Sequence, residues 1–177
     1  MEYIFLDVDG VLNCKDYLLL DGGSLDFTVN EVNVVRLQRL VFETNARIIL
    51  SSSWRYGFVR SEEDGKIHHN PSYPEGSCAK LERLFAKYHL YIYDMTPRDN
   101  EEWDEGNRGN QIQQYINKHL APTDHYVIFD DEDWVDSAHD NPGLTRFKDF
   151  FIQTDFLGDG LTNKDVDRAI KILNRKD

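Results

Sequence analysis

The chain has 177 residues, 40% of them hydrophobic, enough for the core of one domain with short insertions. Its net charge of −12 argues against loose, nonspecific binding to nucleic acid, which needs a basic surface, but not against contact with a nucleotide or a nucleic-acid end through a bound metal. No apolar run is long enough to span a bilayer, and the N-terminal apolar segment is too short for a signal peptide and carries Asp7 and Asp9. With only Cys14 and Cys78, far apart, the expectation is a cytoplasmic protein with reduced thiols and no membrane partner.

Residues 3–8 read as a first buried strand, which runs out in Asp7-Val8-Asp9-Gly10. Residues 14–29 form a short insertion with glycines. Residues 30–45 follow as a helix, with Asn30 as N-cap and Val34, Leu37 and Val41 on one face. Residues 47–50 make a second buried strand that ends in Ser51-Ser52-Ser53, and residues 56–76 are a polar loop containing His68 and His69. Ser77 is expected to cap a helix over 77–88, before a short strand at 90–93. A helix over 109–120 leads to a strand at 126–129 that ends in Asp130-Asp131, and a fifth strand is placed at 150–153. Thr162 and Asp165 resemble a capping box opening the last helix, which carries Val166, Ala169, Ile170 and Leu173.

Strands separated by helices predict an α/β fold, with a parallel sheet of about five strands covered by helices on both faces. Such sheets bind ligands at the carboxyl ends of their strands, and the polar clusters Asp7/Asp9, Ser51–Ser53 and Asp130/Asp131 all fall there. Residues two apart in a strand share a side, so Asp7 and Asp9 crowd two like charges together. A carboxylate can attack phosphorus and form an acyl phosphate, while a second one protonates the leaving oxygen. The alternative is an acidic turn or a structural cation site. Asp130 and Asp131 are hard oxygen ligands suited to Mg²⁺, against a merely solvated acidic loop, the fate expected for Asp133 and Asp136. Ser51 and Ser52 offer hydroxyls and amides to phosphate oxygens, Ser51 being favoured because it directly follows the apolar run. Trp54 and Arg55 are expected to brace this loop, and Arg108, just before a helix, to neutralise a phosphoryl group, against an ordinary surface arginine. His68 and His69 lack ligand-spaced partners and are read as loop residues, not as a zinc site.

Taken in order, these residues resemble the haloacid dehalogenase (HAD) superfamily of phosphotransferases. Its first motif, Asp-x-Asp-Gly after an apolar strand, is Asp7-Val8-Asp9-Gly10 here; its second is Ser51, its third Arg108, and its fourth the pair Asp130-Asp131. Leu50-Ser51-Ser52-Ser53-Trp54-Arg55, Met95-Thr96-Pro97, Arg108-Gly109 and Gly160-Leu161-Thr162 are similar to the HAD domains associated with Swiss-Army-Knife RNA repair proteins. Glu is common after Arg-Gly-x in that group, where this chain has Gln111, and Lys118 is the competing third-motif cation.

The resemblance implies a Rossmann-like sheet with a minimal cap and a single domain over residues 1–177. It implies Asp7 as nucleophile and metal ligand, and Asp9 as general acid/base whose backbone carbonyl also meets Mg²⁺. Ser51, Ser52 and Arg108 would bind phosphate, and Asp130 and Asp131 would complete the metal site. The expected activity is Mg²⁺-dependent hydrolysis of a phosphate monoester, on a small molecule such as a nucleotide or on a nucleic-acid end. The rivals are phosphoryl transfer to an acceptor other than water, and a non-catalytic relative that binds phosphate or protein.

Overall fold

The computed structural model describes residues 1–15, 29–98, 108–135 and 142–175. Its elements are β1 (Glu2–Leu6), α1 (Glu31–Thr44), β2 (Arg47–Leu50), a 3-10 turn (Ser53–Gly57), β3 (Phe58–Arg60), β4 (Ile67–His69), α2 (Ser77–Lys87), β5 (Ile92–Met95), α3 (Arg108–His119), β6 (His125–Asp130), a second 3-10 segment (Pro142–Phe147), β7 (Phe151–Gln153) and α4 (Asn163–Leu173). Five strands form a parallel sheet in the order β5-β2-β1-β6-β7. From β1 the chain winds outward to β2 and β5, then returns to the other side of β1 for β6 and β7. The winding direction therefore reverses between β1 and β6, where open parallel sheets hold their ligands.

Alternation along the strands explains why they read as continuous apolar runs. Ile4, Leu6, Ile48, Leu50, Val127 and Phe129 pack with Val34, Leu37 and Leu40 of α1, Leu81 and Phe85 of α2, and Val166, Ala169 and Leu173 of α4. The opposite positions, Tyr3, Phe5, Ile49 and Ile128, meet Ile112 and Tyr115 of α3, together with Val135, Phe147 and Phe151. Both faces are buried, so both strand parities are apolar. Each fully buried Leu, Ile or Phe contributes on the order of 1.5–3 kcal/mol.

Helix boundaries follow local chemistry. Asn30 caps α1 by accepting from the Val32 amide at 2.9 Å, and Asn45 ends it in the left-handed region at φ 56°. At α4 the Thr162 hydroxyl accepts from the Asp165 amide while the Asp165 carboxylate accepts from the Thr162 amide, the expected reciprocal box.

Three sequence expectations shift. Ser77 does not cap α2; it lies inside the helix, and Gly76 occupies the cap with no side-chain bond. The strand expected at 90–93 begins at Ile92, because Leu90 closes α2 instead. His89 turns left-handed at φ 56°, the Leu90 amide donates to the Phe85 carbonyl at 2.8 Å, and the Leu90 side chain is buried. Within 56–76 the chain forms an antiparallel pair, β3 with β4, anchored by buried Phe58 and Ile67 and turned around Gly65 at φ 71°. His68 and His69 therefore sit on a strand, and both bond to Glu82 of α2. Among the described residues, no helix is long and apolar enough to cross a membrane.

The Thr162–Asp165 box leaves a measurable signature. Thr162→Ala should cost about 1 kcal/mol, typical of an N-cap loss. In a domain of this size that lowers Tm by roughly 2–4 °C in a thermal melt.

Candidate active site

The parallel ladder runs on past the strand ends. The Asp7 amide donates to the Phe129 carbonyl at 3.0 Å, Ser51 to Leu6 at 2.9 Å, Thr96 to Leu50 at 3.0 Å and Thr154 to Asp130 at 2.9 Å. Thr96, Ser51, Asp7 and Asp130 thus stand side by side across four strands, one polar residue at the end of each, while on β7 Gln153 is level with Asp130 and Thr154 lies one residue further on. The four are buried, at 3% exposure or less. They alternate with Leu6, Leu50, Met95 and Phe129, so strand parity directs them toward the α3 side, and Thr154, two residues after Ile152, toward the opposite face.

The first residue of α3 reaches this row. Arg108 Nη1 donates to Asp7 Oδ2 at 2.9 Å and to Asp130 Oδ2 at 2.6 Å. One oxygen from each of Asp7, Asp130 and Asp131 lies within 4.8 Å of the others. Asp130 is further fixed by the Glu132 amide at 3.0 Å and by Trp134 Nε1 at 2.9 Å. Asp7 Oδ1 is buried with no hydrogen-bond partner among the described residues.

Burial pushes Asp7 up to about 7, against the pull of Arg108 and with the help of Asp130. Burial and then Asp130 push Asp131 up to about 6. Burial opposes the charge on Arg108, but Asp7 and Asp130 outweigh it and leave the guanidinium well above its ordinary value. The carboxylates together exceed what one arginine neutralises, the condition under which a cation binds.

Asp9 lies outside this group. Asn13 Nδ2 donates to its Oδ1 at 2.8 Å and Trp54 Nε1 to its Oδ2 at 2.9 Å. Asn13 also receives the Gly10 amide at 2.9 Å. Gly10 is left-handed, at φ 69°, and a Cβ built there would lie 2.3 Å from the Asp131 side chain. Only glycine lets the turn press against the acidic pair. Thr154 holds the same turn from the far side, its hydroxyl donating to the Gly10 carbonyl at 2.8 Å.

At the end of β2, the buried Ser52 hydroxyl favours the charged form of Asp7, and its oxygen accepts from the Trp54 amide at 3.3 Å. The Ser51 hydroxyl is buried beside Asp7 in the ladder and has no partner among the described residues; the Thr96 hydroxyl is in the same position one strand further on. Lys118, near the far end of α3, is exposed. Asp133 is exposed, and Asp136 lies outside the described residues.

Asn13, Trp134, Thr96 and Thr154 were given no role from the sequence. Asn13 had a local signal, lying four residues after Asp9 in the same loop. Thr96 gains its place from strand register, Thr154 from its bond to the Gly10 carbonyl, and Trp134 from the path of the chain after Asp130.

A family model described as "HAD domain in Swiss Army Knife RNA repair proteins" matches residues 3–166, from β1 into α4. No curated protein and no solved structure matches the chain.

The raised carboxylates make stability depend on pH in a definite sense. With folded-state values near 7 for Asp7 and 6 for Asp131, against an ordinary 3.8, the native protein holds more protons than the unfolded chain between about pH 4 and 7. These two groups therefore remove stability as pH rises through that window. Glu31, Asp64, Glu82 and Asp124 are shifted downward and work in the opposite direction at lower pH. The informative quantity is thus the difference between wild type and Asp7→Asn in EDTA. In thermal melts the variant should gain on wild type as pH rises from about 5 to 8; parallel curves would contradict the buried proton.

Proposed function

Because the chain belongs to the family of HAD domains in Swiss Army Knife RNA repair proteins, we propose that it is a Mg²⁺-dependent phosphohydrolase that cleaves a phosphate monoester through an aspartyl phosphate on Asp7. The observation that carries this reading is a buried carboxylate at the reversal point of the sheet, with one oxygen unpartnered among the described residues and with Asp130, Asp131 and Arg108 gathered round it.

An Asp7 oxygen attacks phosphorus, and the bond from phosphorus to the leaving oxygen breaks. Asp9, steadied by Asn13 and Trp54, delivers the proton to that oxygen. Asp9 then takes a proton from water, which attacks the acyl phosphate and releases inorganic phosphate with Asp7 restored. Arg108 sits within reach of Asp7 and supplies positive charge where charge develops on the phosphoryl oxygens, with the Ser51 and Ser52 hydroxyls on the other side. The three clustered carboxylate oxygens fit a hard cation, so Asp7, Asp130 and Asp131 would hold Mg²⁺, with the Asp9 carbonyl as a further ligand. When bound, the ion neutralises the carboxylates and polarises the phosphoryl group. The substrate is a phosphorylated small molecule or a nucleic-acid end, and the family's association with RNA repair favours the end.

The test is a Mg²⁺ phosphatase screen over nucleotides, sugar phosphates and 3′- or 5′-phosphorylated oligonucleotides, with Asp7→Asn as the blank. Asp7→Asn should abolish turnover while the protein still melts cooperatively; turnover near wild type would rule out the nucleophile. EDTA should silence the enzyme and Mg²⁺ restore it, and full activity after exhaustive chelation would overturn the metal assignment. Arg108→Ala should lower kcat roughly 10²-fold, as for loss of one preorganised donor, and Arg108→Lys should recover part of it. Lys118→Ala should leave kcat unchanged; a loss confined to that variant would move the third-motif role to Lys118.

A further inference from the structure

The serine loop and Arg108 come from elements far apart in sequence, yet both must meet one phosphoryl group. A single buried side chain spans them. Arg55 is 4% exposed, and its Nη1 donates to the Ser51 carbonyl at 3.2 Å and to the Ser52 carbonyl at 2.8 Å. Its Nη2 donates to Gln111 Oε1 at 2.8 Å. Gln111 is 2% exposed and lies one helical turn after Arg108, on the same side of α3. Tyr56 packs against the guanidinium, 4.9 Å from ring centre to Cζ. Arg98 fixes the turn from outside, donating to the Arg55 carbonyl at 2.6 Å.

The orientation of the peptides matters. In a trans peptide the C=O and N–H point in opposite directions. Carbonyls of Ser51 and Ser52 turned toward Arg55 therefore turn the following amides away from it. A guanidinium presents five donors in a rigid plane and can serve acceptors on two elements at once, whereas a lysine ammonium has no such fork.

We propose that Arg55 and Gln111 are positioning residues that lock the Ser51–Ser52 loop and Arg108 into one register, so that a single buried hydrogen-bond chain sets both sides of the phosphate cradle. This rests on the phosphohydrolase reading for what the cradle holds. Neither residue touches the phosphoryl group; each acts through groups that do. Gln111 matters as an acceptor, so a glutamate there serves as well, and an apolar side chain of similar shape does not.

The experiment compares Arg55→Lys, Gln111→Met and Gln111→Glu with wild type in kinetics on p-nitrophenyl phosphate with Mg²⁺. It also measures inhibition by inorganic phosphate and the NMR response of the Ser51–Ser53 amides to phosphate. Displacement of a positioned group by about an ångström costs up to 10²-fold, so Arg55→Lys should lower kcat and weaken phosphate inhibition roughly 10–100-fold. Gln111→Met should shift both in the same direction by roughly 3–10-fold, and Gln111→Glu should stay within about 2-fold of wild type. If Arg55→Lys does not fold, the two Gln111 variants decide alone.

Lowered Tm with unchanged kcat and phosphate inhibition in Gln111→Met would overturn the proposal, leaving Gln111 a packing residue. Equal damage in Gln111→Glu and Gln111→Met would also overturn it. A wild-type protein without turnover, whose serine amides still respond to phosphate and lose that response in Gln111→Met, would sink the hydrolase reading and uphold the coupling. Absence of both turnover and phosphate response would overturn both.

Discussion

Arg108 Nη1 lies between the carboxylates of Asp7 and Asp130, all three largely removed from water. An ion pair in such a place gains little net stability, because stripping water from the charges offsets most of their attraction. Removing Arg108 leaves two buried carboxylates uncompensated, so the arrangement constrains more than it stabilises. Its geometry requires β1 beside β6 and α3 starting over their carboxyl ends. The strand order, with its reversal between those two strands, provides that. The acidic turn, the serine loop and α3 all converge on this point.

The same feature explains why the site is fixed so heavily from behind. Asp130 is held by a backbone amide and by Trp134, Asp9 by Trp54 and Asn13, and Gly10 by Thr154 and Asn13. Like charges brought this close would otherwise drift apart. The supporting bonds come from neutral donors, so they aim the carboxylates without cancelling the negative charge that a cation would meet. Of the fully buried carboxylate oxygens among the described residues, Asp7 Oδ1 is the one without a hydrogen-bond partner.

The layers of the fold were legible because burial on both faces leaves a strong mark, the apolar runs at 3–8, 47–50 and 126–129 separated by helical periodicity. Asp7, Asp130 and Asp131 were legible for the same reason, since charges directly after a buried strand have one place to go. Less readable was whatever depended on register or on a few residues. Leu90 looked like strand but closes a helix, and only the left-handed His89 shows why. The β3–β4 pair has one inward apolar residue per strand, too few for a period to show. Thr96 shares the row with Asp7, and Thr154 reaches the Gly10 carbonyl from β7, but neither the place in the row nor that reach follows from the residues around them.

The net charge of −12 and an anionic substrate pull in opposite directions. At physiological ionic strength, charges more than about 8 Å from the site are largely screened, so the surface weakens encounter without deciding affinity. Affinity then has to arise within the last few ångströms, where the described residues supply Arg108 directly, Arg55 behind the serine loop and acidic ligands for a cation. On the proposed reading, such a site would hold a terminal phosphate dianion, with Arg108 as the cation that the described residues place at the carboxylates. On the proposed reading, recognition of a nucleic acid would therefore be confined to its phosphorylated end, and the acidic surface would discourage the internal backbone from settling anywhere else.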